Sequence, residues 1–411
     1  MPVDRFLPAL AAELDALEQR GTRKGAESVI VGVVPASGDL GPRYRLEGEG
    51  DRPFLKMNSN NYLGMALRPE LIEAEEHASR AYGVGPGAVR FISGTYAAHT
   101  DLEARLAKFH GRESAMLWSS AYAAMIGVLV PLITPETVVV SDELNHNCII
   151  NAMRLARPKD KKIYRHLDLA DLDAKLTEAA GTCKRVILVT DGIFSMRGAN
   201  APLPKILEIA RRHDPSFPEN VVVLVDDSHG VGAFGATGRG TEEATGAPPS
   251  DILVATLGKA LGVNGGYVVG SKTLTDFLRE TSPTYIYSNP ITVGECAAAL
   301  RAVDLLDSDA GIDRLKHLRE MTERFQKGLL RLGYETIPGT HPVVPLMVRD
   351  TAKTTALVAH LRANGILATG LKFPVVPKGD ESIRFQVSAD HTPKDIDGVL
   401  AALENFAGRE S

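Results

Sequence analysis

Apolar residues recur along this chain in two rhythms. Between residues 112 and 270, short unbroken apolar runs at 115–118, 138–140, 186–190, 221–225, 252–255 and 267–269 alternate with stretches patterned at helical spacing. A run with no polar face reads as a strand covered on both sides, as in a parallel sheet under helices. Strand, turn and helix in succession predict a mostly parallel sheet over this region. At the N-terminus, Phe6, Leu7, Leu10, Leu14 and Leu17 recur at helical spacing among Asp4, Glu13, Asp15 and Glu18, which predicts an amphipathic helix that docks on the main body or on a second subunit. A turn-rich passage at 35–53 predicts a hairpin around Glu47–Asp51. Leu102, Leu106 and Phe109 mark one face of a further helix, and residues 292–306 and 312–332 read as helices. Strand-like segments at 343–348 and 383–387 complete a smaller α+β region. These divisions predict an N-terminal arm at 1–55, a large domain at 56–291 and a small C-terminal domain at 292–411.

Composition narrows the function classes. At 411 residues with 44% apolar and 24% charged residues, the chain has the balance of a soluble globular protein large enough for two domains. A net charge of -5 gives no general basic field for nucleic acid or for an anionic membrane. Cys148, Cys183 and Cys296 are odd in number and widely spaced, which argues against a disulfide framework or a metal site and for a reducing compartment. With no secretory pattern and no apolar run of about 18 residues, the expected location is the cytosol.

The candidate chemistry gathers where the apolar runs end. The run 252–255 leads into Thr256-Leu257-Gly258-Lys259, and a glycine-rich turn at Gly262, Gly265 and Gly266 returns the chain to the next run. A phosphate loop would require Ser or Thr after the lysine, and Ala260 stands there. A lysine simply exposed on a loop is the commoner alternative, but one held among glycines and apolar strands suits a Schiff-base amine, because desolvation frees its lone pair. Upstream, the run 221–225 ends in Asp226-Asp227-Ser228-His229-Gly230. Polar residues at the carboxyl ends of such strands stand where open α/β sheets bind ligands. Taken singly, Asp226 is also readable as a helix N-cap and His229 as a loop histidine. Pyridoxal phosphate needs a lysine for its aldehyde, a carboxylate for its pyridine nitrogen and donors for its ring oxygen and phosphate, and Lys259, Asp226, His229 and Thr256 supply that set.

VDDSHGVGAFGATGRG followed by TLGKALG resembles the α-oxoamine synthases, which use pyridoxal phosphate to join an amino acid to an acyl-CoA thioester. The likeness runs from about Asn58 to Thr392. It implies an α/β fold of fold-type I, the aspartate aminotransferase-like PLP-dependent transferase architecture. That means a mostly parallel seven-stranded sheet in the large domain and a smaller α+β C-terminal domain. It also implies a homodimer with its active site at the subunit boundary. In NSNNYLG, Asn60 is expected to help Arg384, in RFQVSADHT, hold the amino-acid carboxylate. The turn at Ala121 and Tyr122 is expected to bind the cofactor phosphate through backbone N–H groups. His146 is expected to stack on the pyridine ring and act as an acid toward the acyl oxygen. Ser195 joins His229 at the ring oxygen, and Ser288 reaches the phosphate of a partner subunit.

FPVVPKG, RFQVSADHT, the VRFISGT loop and Ser288-Asn289 resemble the glycine C-acetyltransferase branch, which implies glycine and acetyl-CoA as substrates. Arg197, where the family carries an acidic residue, and Asn147-Cys148 after the site histidine depart from that branch. The alternatives are another member of the family, such as 8-amino-7-oxononanoate synthase or serine palmitoyltransferase, or a PLP-dependent aldolase or aminotransferase on the same fold. A non-catalytic partner subunit would lack the lysine.

Overall fold

The computed structural model describes residues 3–373 and 375–407, so Pro374 in the FPVVPKG stretch lies outside the described residues. The chain falls into two compact units, Asn60–Arg319 on the one hand and Met1–Ser59 with Glu320–Ser411 on the other. These bounds differ from the sequence division at 55 and 291, and local packing accounts for both differences. Strand Pro53–Lys56 pairs in parallel with Ile366–Leu367, and Gly41 N donates to Asp395 Oδ2 at 3.0 Å, so the N-terminal segment folds with the C-terminal one. Helix Val293–Leu306 packs instead on helices Pro69–Tyr82 and Ala97–His110, burying Val293, Ala298, Ala299, Ala302 and Val303.

The unit Asn60–Arg319 is built on seven strands: β1 (Ser114–Trp118), β2 (Thr137–Asp142), β3 (Asp160–Tyr164), β4 (Arg185–Asp191), β5 (Val221–Asp226), β6 (Ile252–Thr256) and β7 (Gly266–Gly270). Their order across the sheet is β1-β7-β6-β5-β4-β2-β3. Only β7 runs antiparallel to its neighbours; β6, β5, β4, β2 and β3 are parallel. The unbroken apolar runs have a direct cause. Val139, Ile187, Val189, Leu224 and Val254 enter a core on one face of the sheet. Their neighbours Val138, Val140, Val186, Leu188, Val223 and Val225 enter a second core on the other. Successive side chains point to opposite faces, and helices cover both.

The unit formed by the two ends of the chain has two small sheets. Ile30–Val34, Arg43–Leu46 and Pro53–Lys56 form an antiparallel meander joined by Ile366–Leu367, and the expected hairpin is the Arg43–Leu46 to Pro53–Lys56 connection. Val343–Met347 and Ser382–Gln386 pair antiparallel at the centre of the second sheet, and helix Thr351–Ala363 packs against it. The amphipathic segment forms helix Phe6–Gln19, none of whose residues is buried, and Phe6, Leu7, Leu10 and Leu14 stand exposed.

One buried carboxylate fastens the edge of the large sheet. Glu103 accepts from Arg90 Nη1 and Nη2 at 3.1 and 3.2 Å, from Arg279 Nη2 at 2.8 Å and from the β1 amide of Leu117 at 3.1 Å. Removing it would strand the Arg90 guanidinium, which is 4% exposed. Breaking a buried pair in this way costs about 3–5 kcal/mol. Glu103→Ala is therefore expected to lower the unfolding free energy by that amount in a denaturant titration, whereas Lys272→Ala, which breaks an exposed pair with Asp276, changes it by no more than about 0.5 kcal/mol.

Candidate active site

The strands β4, β5 and β6 end side by side, and their last residues set the floor of a cavity. Asp191 stands opposite Asp226 in the β4–β5 ladder, and Thr256 closes β6. After β6 the chain folds into a tight loop that carries Lys259. Thr256 Oγ1 accepts from Gly258 N at 3.0 Å and donates to Gly265 O at 3.1 Å, while Val263 N reaches Leu257 O and Gly262 N reaches Lys259 O. Gly262 has φ +72°, and a Cβ there would lie 2.4 Å from Ala66 N, so only glycine lets this loop lie against the chain at 65–66.

Helix Ala121–Leu132 starts beside the same loop. Its N-cap Ser120 accepts from Ala123 N at 3.1 Å, which leaves the amides of Ala121 and Tyr122 without intrahelical partners. Gly266 brings β7 against this helix start, since a Cβ there would sit 2.1 Å from Ala121 N. The next helix, Asn147–Ala156, is capped by His146, whose Nδ1 accepts from Cys148 N at 3.3 Å. His146 N in turn donates to Asp191 Oδ1 at 3.4 Å.

Together these elements enclose a cavity of about 180 Å³ lined by Ser120, Ala121, Tyr122, His146, Cys148, Asp191, Ile193, Ser195, Asp226, Ser228, His229, Thr256 and Lys259. Eight residues singled out from the sequence thus share one cavity: Ala121, Tyr122, His146, Ser195, Asp226, His229, Thr256 and Lys259. Asn60 is one step away, its Oδ1 accepting from Tyr62 OH at 3.3 Å while that hydroxyl lies 2.7 Å from His229 Nδ1. Ser288 is not among the lining residues; it is half-buried in the segment after helix Pro283–Ile286. Arg384 belongs to the other unit, on strand Ser382–Gln386 opposite Pro345 and Thr369. Sequence reasoning passed over Ser120, Cys148, Asp191, Ile193 and Ser228. Asp191 carried the same signal as Asp226, an acidic residue at the carboxyl end of an apolar run, and Ser228 lay inside the DDSH motif itself.

Burial sets the electrostatics. The Asp191 carboxyl is held well above the usual carboxylate range, first by desolvation and then by the neighbouring Asp226 charge. Desolvation lowers the His146 imidazole despite the opposing pull of Asp226, and Lys259 lowers it further. His146 therefore enters the site as neutral imidazole at pH near 7. Desolvation and the charges of Asp226 and Asp191 push the Cys148 thiol up, so it remains protonated.

This donor set fits pyridoxal phosphate. An amine, a carboxylate at a strand end and a helix N-terminus for an anion surround one space. The buried Ser228 Oγ, also on the lining, has no hydrogen-bond partner among the described residues.

Comparison with known proteins agrees with the geometry. The family model for aminotransferase class I and II matches residues 52–403. Human mitochondrial 2-amino-3-ketobutyrate coenzyme A ligase is 39% identical over 396 residues, 96% of this chain and 90% of the relative. The 8-amino-7-oxononanoate synthase of Thermosipho melanesiensis is 39% identical over 355 residues, 86% of this chain and 88% of the relative. The solved Sphingomonas wittichii serine palmitoyltransferase superposes with a TM-score of 0.87 at 26% identity, covering 99% of this chain and 98% of that one. A solved structure of SPT with PLP has the same TM-score at 25% identity. The fold and cavity thus define a fold-type I pyridoxal phosphate enzyme. Within that class, the chain belongs to the α-oxoamine synthase family. No helix among the described residues is long and apolar enough to cross a membrane.

Next to the cavity, Asp227 is fully buried and accepts from Thr241 N at 2.7 Å and Thr241 Oγ1 at 2.5 Å. Desolvation outweighs these bonds and raises its carboxyl to about 7. An unfolded aspartate titrates near about 3.9, so the folded state binds this proton more tightly. The resulting stability is fully present below about pH 4 and is lost as pH rises through about 7. Denaturant titrations at about pH 5 and about pH 8 are expected to show this chain losing about 2–3 kcal/mol more than Asp227→Asn over that interval.

Proposed function

We propose that the chain condenses glycine with acetyl-CoA to form 2-amino-3-oxobutanoate and CoA. The observation carrying this reading is the convergence of Lys259, Asp226, His229, Ser195 and His146 on one cavity beside a helix N-terminus. The near full-length likeness to human 2-amino-3-ketobutyrate coenzyme A ligase supports the choice of substrates. When bound, pyridoxal phosphate supplies an electron sink for charge developing at the amino acid's α-carbon. Lys259 would hold the cofactor's aldehyde and, when free, would take the amino acid's α-proton on Nζ. Asp226 would hold the pyridine nitrogen and keep its proton in place.

His229 and Ser195 hold the ring oxygen, and the Ala121 and Tyr122 amides with Thr256 hold the phosphate. Ser288 serves the phosphate site of a second subunit in a homodimer. Arg384 offers a planar fork to the substrate carboxylate, with Asn60 assisting. His146 would stack on the ring and would donate to the acyl oxygen as the new carbon–carbon bond forms and the thioester carbon–sulfur bond breaks. The chain is assigned to the cytosol.

A second reading follows from the equal identity to 8-amino-7-oxononanoate synthase. That product carries a methyl group and no carboxylate on the amine-bearing carbon, so the same residues would act on alanine and a seven-carbon acyl thioester, releasing CoA and the amino acid's carboxylate as carbon dioxide. A panel of glycine, alanine and serine against acetyl-CoA and longer acyl-CoAs, scored by thiol release, separates the readings. Glycine with acetyl-CoA is expected to give the highest kcat/KM; a preference for alanine and a long thioester would transfer the assignment to the second reading. Lys259→Ala is expected to lose the cofactor's imine absorbance band and at least ~10³-fold in kcat.

A further inference from the structure

We propose that Cys148 is a positioning residue that fixes the tautomer of His146 through its thiol. The inference rests on the role assigned above to His146 and adds the group that holds its proton in place. Cys148 is 2% exposed and lines the cavity. Its backbone N–H donates to His146 Nδ1 at 3.3 Å, and its Sγ lies 3.0 Å from the same nitrogen. On its other side, Sγ is 3.6 Å from Asp226 Oδ2.

The proton inventory follows from these contacts. An Nδ1 that accepts the backbone N–H carries no hydrogen, so in the neutral ring the hydrogen is on Nε2. That is the form able to donate to a developing oxyanion without first being charged. The single thiol hydrogen goes to the nearer acceptor, Nδ1 at 3.0 Å, and joins the longer backbone N–H in holding that nitrogen as an acceptor. Between the carboxylates of Asp226 and Asp191, burial keeps the sulfur a thiol, so it acts as a donor and not as a nucleophile.

A residue that merely filled space here would be replaceable by any side chain of similar size. A residue that orients the ring through its donor would tolerate only another donor. The test compares Cys148→Ala with Cys148→Ser, whose hydroxyl keeps the donor at similar volume. Nitrogen-15 spectra of histidine-labelled protein without cofactor report the His146 tautomer, with the His146 signals assigned from a His146→Asn variant. The parent and Cys148→Ser are expected to show hydrogen on Nε2 alone, and Cys148→Ala a mixture of the two tautomers.

In the cofactor-loaded enzyme, with whichever substrate pair the panel selects, Cys148→Ala is expected to lose about 5–10-fold in kcat with KM for the amino acid changed less than about twofold, and Cys148→Ser to recover most of the loss. An unchanged tautomer in Cys148→Ala, or equal losses in Ala and Ser variants, would overturn the proposal. Should Cys148→Ala not fold, a tautomer mixture in Cys148→Ser would overturn it as well. Because the spectra need neither cofactor nor substrate, a wrong substrate assignment leaves this reading standing or falling by itself.

Discussion

Three neighbouring strands of the large sheet end in aspartate, and the need to satisfy those carboxylates in a buried setting organises the site. Asp142, Asp191 and Asp226 close β2, β4 and β5, and each is at most 6% exposed. A buried carboxylate without partners costs far more than one residue's packing returns. Asp142 meets the cost with the amides of Leu144 and Leu167 and with His166 Nδ1 at 3.0 Å. Asp191 takes one amide from His146 and rises toward the protonated form. Asp226 accepts from Ser228 N, lies 3.6 Å from Cys148 Sγ and faces the cavity that Lys259 also lines. Asp191 and Asp226 both line the cavity, which places the demand for a cationic ligand group there.

The other elements of the site answer the same constraint from the opposite sign. Helix Ala121–Leu132 presents two unused amides and the positive end of its dipole to the cavity, a place for an anionic group at one wall. A ligand with a cationic ring nitrogen at one end and a phosphate at the other satisfies both walls at once. His146 sits between these poles as the cap of its own helix, so the side chain most exposed to reacting groups is oriented by backbone geometry.

The sheet was legible because burial on both faces leaves an unbroken apolar run, and a polar residue that follows such a run must stand at a strand end. This logic alone located Asp226 and Lys259. Asp191 obeys it too, since it directly follows the run 186–190. Ala121, Tyr122, His146 and Ser195 came from a family likeness, and the cavity brings them together with the strand-end residues. What local pattern cannot carry is pairing between distant segments. The two-residue strand Ile366–Leu367, which draws the N-terminal segment into the C-terminal unit, has no periodicity of its own, and Asp395 reaches back to Gly41 across 354 residues. Cys148 stands out in the sequence only as a departure from the acetyltransferase branch, for a related reason: a buried cysteine reads as a small hydrophobe until its neighbours are known.

Shared chemistry and divergent substrates are compatible on this scaffold. The groups that hold the cofactor act on the α-carbon, which every amino acid presents in the same way. Whether the next group is hydrogen, methyl or hydroxymethyl is sensed only by the wall beyond it. One methylene in an apolar pocket is worth about 1–3 kcal/mol of discrimination, so a few side chains can redirect specificity while the sheet and its strand-end residues stay as they are. Equal identity to a 2-amino-3-ketobutyrate ligase and to an 8-amino-7-oxononanoate synthase is the expected outcome of that division.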